Sequence, residues 1–198
     1  MLRTAMTSIA ASACLSVVSA CTSNGAASPA PTPTPTSSRS PSVLHSTDGV
    51  PGFLQDLSAE ERTAYEKAVE DYQDFSRELA AINEAGRATP EAKQFFEERT
   101  AAWQSYWARL TTNEERGIQI IGMGKTLRTR PGAIRLDTDG GGEVGLRVCG
   151  VSEGVEVFQE GEPVPQPEPA PTIVRVEMVK LPDEAHWRVL SERVGKKC

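Results

Sequence analysis

The chain has 198 residues, 27 acidic against 21 basic side chains, and a formal net charge of −6. No basic run is visible along it, so the sequence points away from a nucleic-acid partner. Four Cys and two His without CxxC or HxxxH spacing exclude a recognisable metal centre, and no cofactor motif stands out.

The first segment carries one positive charge, Arg3, and no acid before a small and apolar run from Ile9 to Val18. This is the layout of a secretory signal peptide over residues 1–20, too short for a stop-transfer helix. It ends in Val18-Ser19-Ala20-Cys21, which resembles the bacterial lipobox. The resemblance implies signal cleavage after Ala20 and attachment of diacylglycerol to the Cys21 thiol, with palmitate-type acyl chains on the mature N-terminus. A lipid anchor on the extracytoplasmic face of the cell membrane would follow. Cys14 is a poorer candidate because Ala11 stands where the aliphatic residue belongs. An ordinary secreted protein cleaved near Ala20 is the alternative.

With Cys14 lost in the signal and Cys21 lipidated, Cys149 and Cys198 remain, and two thiols in an oxidising compartment are expected to pair. Residues 21–52 form the lipidated cysteine and a Pro/Ser/Thr-rich stretch whose composition cannot bury enough surface to order itself, so a flexible tether is expected. Its Pro-Thr alternation favours polyproline II, which would reach up to about 80 Å. The same run invites O-glycosylation.

Residues 53–198 are one domain's worth of chain. Ser58-Ala59-Glu60-Glu61 is a capping box, and Tyr65, Val69, Tyr72, Phe75, Leu79 and Ile82 behind it predict a helix ending near Gly86. Thr89-Pro90 is a second helix start, with Phe96, Thr100, Trp103, Trp107 and Leu110 as its buried face. Thr112 to Glu115 offers one further turn before Gly117. From Ile118 the period changes to two, as in Val144, Leu146 and Val148 or Val174, Val176 and Met178. Strands are predicted near 118–129, 133–137, 143–151, 155–158, 172–181 and 185–193, joined by turns at Asp139–Gly142, Ser152–Gly154 and Pro182–Glu184. Helices followed by antiparallel strands make the fold class α+β.

This order, with Cys149 closing a middle strand, a Trp in His186-Trp187-Arg188-Val189 and a terminal Cys198, resembles the small extracytoplasmic lipoproteins of actinobacteria that carry a nuclear transport factor 2-like domain. The resemblance covers about residues 58–198 and rests on layout. It implies a curved antiparallel sheet wrapped around the helices into a cone, a small-ligand site in some members and isomerase or polyketide-cyclase activity in others. The alternating prolines from Pro163 to Pro171 depart from it and read as a loop insertion, a stiff solvated arm carrying Glu162 and Glu168.

Gly124-Lys125-Thr126 imitates the end of a phosphate-binding loop, but Gln119 stands where the pattern needs Gly. Asp137-Thr138-Asp139-Gly140 starts like a calcium loop, yet its twelfth position is Val148 rather than Glu. His186, the domain's one His, alternates away from Trp187 and reads as a solvated surface residue. The expected role is therefore a binding or interaction module on the membrane, not an enzyme, with an unidentified envelope ligand or protein as partner. The alternatives are a cyclase- or isomerase-like enzyme using carboxylates in the cone, and a purely structural envelope protein. An open apolar cavity favours ligand binding, a polar one with a carboxylate favours catalysis, and a core closed by Trp103, Trp107 and Trp187 favours surface interaction.

Overall fold

The structure is a computed structural model that describes residues 51–198. The signal peptide, its cleavage at Ala20, the lipidated Cys21 and the tether up to residue 50 lie outside the described residues. Over the rest the chain is α+β, with three helices packed on antiparallel sheets.

A single 3-10 turn, Gly52–Leu54, precedes α1, Ala59–Ala85. The capping box forms as the sequence predicts: the Glu61 amide donates to Ser58 Oγ at 3.2 Å and the Ser58 amide to Glu61 Oε2 at 2.8 Å. Gly86 ends the helix with φ 61°, a left-handed conformation that a side chain disfavours, and its amide donates to Ile82 O. α1 buries Tyr65, Ala68, Asp71 and Phe75, with Val69, Tyr72 and Leu79 half-buried around them.

Thr89 caps α2, Pro90–Arg99, by accepting from the Ala92 amide at 3.3 Å. The stripe from Phe96 to Leu110 suggests one continuous helix, but the helix breaks at Thr100 and restarts as α3, Trp103–Glu115. Tertiary pairing wins there. Thr100 is fully buried in extended conformation and forms a parallel bridge with Val189, the Ala101 amide donates to Val189 O at 2.9 Å, and Arg188 donates to Thr100 O at 3.0 Å. The break turns Trp103 and Trp107 to the rim of a small core made of Ala92, Phe96 and Leu110. Phe75, Phe95, Phe96 and Tyr106, with neighbouring ring centroids 5.5–5.7 Å apart, tie the three helices together.

The strands are β1 (Ile118–Ile121), β2 (Lys125–Leu136), β3 (Gly142–Val151), β4 (Glu156–Gln159), β5 (Glu162–Pro163), β6 (Thr172–Lys180) and β7 (Arg188–Lys197). They form a four-stranded antiparallel sheet in the order β2-β3-β6-β7 and a three-stranded one in the order β1-β4-β5. The predicted strand 118–129 is thus two strands in different sheets. The cause is Gly122, at φ 87°, where a Cβ would collide with the Gly154 carbonyl oxygen. Beyond it β2 runs on through Pro131, and register shifts at Thr126/Arg128 and Pro131/Ile134 absorb the extra residues as bulges. The last strand starts later than predicted, at Arg188, and reaches Lys197.

Alternation sorts the four-stranded sheet cleanly. Val144, Leu146, Val148, Val176, Met178 and Val189 face α1 and are at most 5% exposed, and Trp187 joins them as expected. The other face is polar. Its register lines up Arg130, Arg147, Arg175 and Arg193, one from each strand and each directly opposite the next. A basic stripe missing from the linear sequence therefore exists on the folded surface, because its members lie 17, 28 and 18 positions apart in the chain.

Candidate functional site

A groove of about 720 Å³ lies between α1 and one end of the sheet. Its walls come from Val69, Tyr72 and Ser76 of α1, from Val148, Gly150 and Val151 of β3, and from Val174 and Val194 of β6 and β7. The β1–β2 break brings Met123 and Lys125 to its edge, Ala170 closes the opposite side, and Arg77 stands on the helix rim. Met123 and Val194 are 54% and 80% exposed at the mouth, so apolar side chains are presented to solvent where the core of the sheet runs out. The lining contains neither carboxylate nor imidazole.

The cations differ in their freedom. Arg77 is paired with Asp74 at 3.1 Å, whereas Lys125 has no ion-pair or hydrogen-bond partner among the described residues. The sequence had marked Lys125 only as part of a false phosphate loop; its true position is the first residue of β2, next to the groove.

Two carboxylates do approach the inner face, and both are already engaged. Asp71, 1% exposed, accepts from the Trp187 amide at 2.9 Å and faces His186 Nδ1 at 3.1 Å. Lys67 and Arg99 stand 3.4 and 3.7 Å from the same carboxylate, and Arg99 also donates to the Asp71 backbone carbonyl at 3.0 Å. This cluster fastens the loop before β7 to α1. His186 is over half exposed, as expected, but it is not simply solvated, since Asp71 holds its ring. Asp71 escaped the sequence reading although it stands three residues after Ala68 and four before Phe75, on the apolar stripe itself.

The second carboxylate, Glu192, accepts from the Tyr72 hydroxyl at 2.8 Å and the Tyr106 hydroxyl at 2.6 Å. Burial, then the Glu192 charge, pushes both phenols well above the ordinary tyrosine range, so both stay protonated donors. The arrangement braces β7 against α1 and α3.

Of the residues singled out from sequence, Cys149 and Cys198 are joined in a disulfide with Cα atoms 5.9 Å apart. Asp137 to Gly140 form the β2–β3 turn, in which the Gly140 amide donates to Asp137 O and the Gly141 amide to Asp139 Oδ1. The proline segment is exposed, as expected, but tied at both ends: the Val164 amide donates to Val157 O at 2.8 Å and Pro171 O accepts from the Cys198 amide. Among the described residues no helix is long and apolar enough to cross a membrane, and no group of three or more His, Cys, Asp or Glu could hold a metal ion.

No family model and no curated protein matches the chain. Among solved structures it is similar to the intermembrane-space region of the chloroplast protein ARC6, with 12% identity, 71% of this chain and 100% of that chain covered, and a TM-score of 0.45. It is also similar to a 2.5 Å structure from Catenulispora acidiphila, with 11% identity, 69% and 94% coverage and a TM-score of 0.38. Both likenesses are remote.

Proposed function

We propose that the protein is an extracytoplasmic lipoprotein, anchored through Cys21, whose nuclear transport factor 2-like domain binds an amphipathic ligand with its apolar body in the groove and an anionic head beside Lys125. The observation that carries this reading is the groove itself: about 720 Å³, within the usual range for small-molecule sites, largely apolar along its walls, with Lys125 among the residues that line it. The Cys149–Cys198 disulfide supports an oxidising compartment, and the lipobox supports the anchor. A cyclase or isomerase would need an acid or base in the groove, whereas Asp71 and Glu192 are not among its lining residues and are hydrogen-bonded to the Trp187 amide and to the Tyr72 and Tyr106 hydroxyls.

The test uses a fluorescent long-chain fatty acid and the corresponding alcohol. Gly150 allows a direct blockade, because a Cβ there would meet its nearest atom, Lys125 O, at an ordinary 3.5 Å. Gly150→Phe should fill the groove and abolish binding of both probes with the fold intact. Lys125→Glu should weaken the acid and spare the alcohol. Failure of the unmodified protein to bind either probe would refute the ligand-binding reading. For the anchor, Cys21→Ser should release the protein from the membrane fraction or stall it uncleaved, and unchanged lipid labelling would rule the anchor out.

A further inference from the structure

Arg130, Arg147, Arg175 and Arg193 face one another across all four strands of the larger sheet, on the side away from the groove. Strand spacing puts the row at about 15 Å from end to end. All four are exposed; Arg130 lies over the Phe53 ring at 5.8 Å, and none of the four has an ion pair among the described residues. Like charges placed directly opposite across strands destabilise a sheet, and this happens three times in succession on a chain whose net charge is −6. An acidic chain could have supplied partners. Instead its two nearby carboxylates are used elsewhere: Glu143 pairs with Arg135 at 3.1 Å and Glu177 accepts from Ser191 at 2.7 Å.

We infer that this row is a docking line for a linear phosphate-bearing polyanion running across the strands, with four guanidinium groups offered along about 15 Å of its length. Four of the positive charges stand on one line, and Arg128 adds a fifth in the row beside it. The next row on one side is Gly145, Glu177 and Ser191, with Glu143 beyond it, and on the other side Cys149 and Ile173 stand beside Arg128. A planar anionic membrane would press against Glu143 and Glu177 as well as the arginines, whereas a chain laid along the row avoids both. The planar guanidinium also suits phosphate oxygens, which it can hold bidentately. The inference is independent of the groove, which lies on the opposite face of the same sheet.

The experiment measures binding of long-chain inorganic polyphosphate, with orthophosphate and phosphatidylglycerol vesicles as comparison arms, to the oxidised full chain. Four phosphate contacts predict a log–log salt slope of about −2.8, or roughly 50-fold weaker binding when salt rises from about 50 to 200 mM. Arg147→Ser with Arg175→Ser should remove at least tenfold of the affinity while leaving thermal stability unchanged or raised. The corresponding pair of Lys substitutions should keep most of the affinity, and orthophosphate should bind far more weakly than the polymer. Polyphosphate binding that is absent at low salt, or unaltered in the double Ser variant, overturns the inference. So does arginine-dependent binding to the vesicles without binding to polyphosphate, which would make the partner a membrane surface.

Discussion

The two faces of the four-stranded sheet obey different rules. On the inner face burial accounts for the side chains beneath α1: Val144, Leu146, Val176 and Met178 are 1% exposed, and even the intruding carboxylate Asp71 is held by the Trp187 amide. On the outer face the same strands place four arginines in line without an ion pair among the described residues. Local stability explains the first arrangement and is harmed by the second. The contrast teaches that the inner face holds the fold and, where α1 leaves it uncovered, offers a groove, whereas the outer face departs from what folding alone would select.

Substitutions can break this contrast, beginning with those that should cost most. Cys149 points to the outer face between Arg128 and Ile173, and its bridge spans a sequence separation of 49. Cys149→Ser should lower stability by up to about 4 kcal/mol, read as a drop in Tm of roughly 5–15 °C under oxidising conditions. An unchanged Tm would mean that the bridge contributes nothing. Asp71→Ala comes next, at about 3 kcal/mol, because it leaves the buried Trp187 amide unpaired and takes the carboxylate away from Arg99, while Lys67 keeps Glu70 at 2.8 Å. Denaturant unfolding checks this, and Asp71→Asn, which keeps an acceptor for the amide, should recover part of the loss.

Smaller effects sharpen the comparison. Ser58→Ala removes one N-cap from α1 and should lower Tm by about 2–4 °C. The backbone amide and hydroxyl of Ser58 hold the Glu61 carboxyl below its ordinary pKa. A depressed folded-state pKa means that this contribution is present above the unfolded value, about 4.3, and fades as pH falls through the folded one. The gap in Tm between wild type and Glu61→Gln should therefore narrow between about pH 5 and pH 3, and a gap independent of pH would exclude the ionised Glu61 carboxylate from the cap. Smallest and opposite in sign is Arg175→Thr. Relieving two cross-strand repulsions with a residue that suits strands should raise stability by about 0.5 kcal/mol, and a clear loss would show that the arginines stabilise the fold after all.

Much of the fold was legible. The capping box at Ser58, Thr89-Pro90, Gly86 and the alternation of Val144, Leu146 and Val148 lie in the structure where the sequence places them. Each is a local signal that needs neighbours only three or four positions away. The misreadings share another character. The break at Thr100 arises because Val189, far along the chain, offers a better partner for that backbone than the helix does. The division at Gly122 comes from the close approach of Gly154. Asp71 was hidden because its partners, Arg99, His186 and Trp187, come from other elements.

By itself the sequence determined that helices come first and antiparallel strands after, most of the turns between them and which side of each long strand is apolar. Tertiary structure alone decided the opening between α1 and the sheet, the place of Lys125 at its edge and the alignment of four arginines into one line. The physical reason is register. Caps and periodicity are fixed within a few residues, but which side chains stand opposite one another depends on bulges and turns that can move a strand by one position, and a shift of one sends every side chain to the other face.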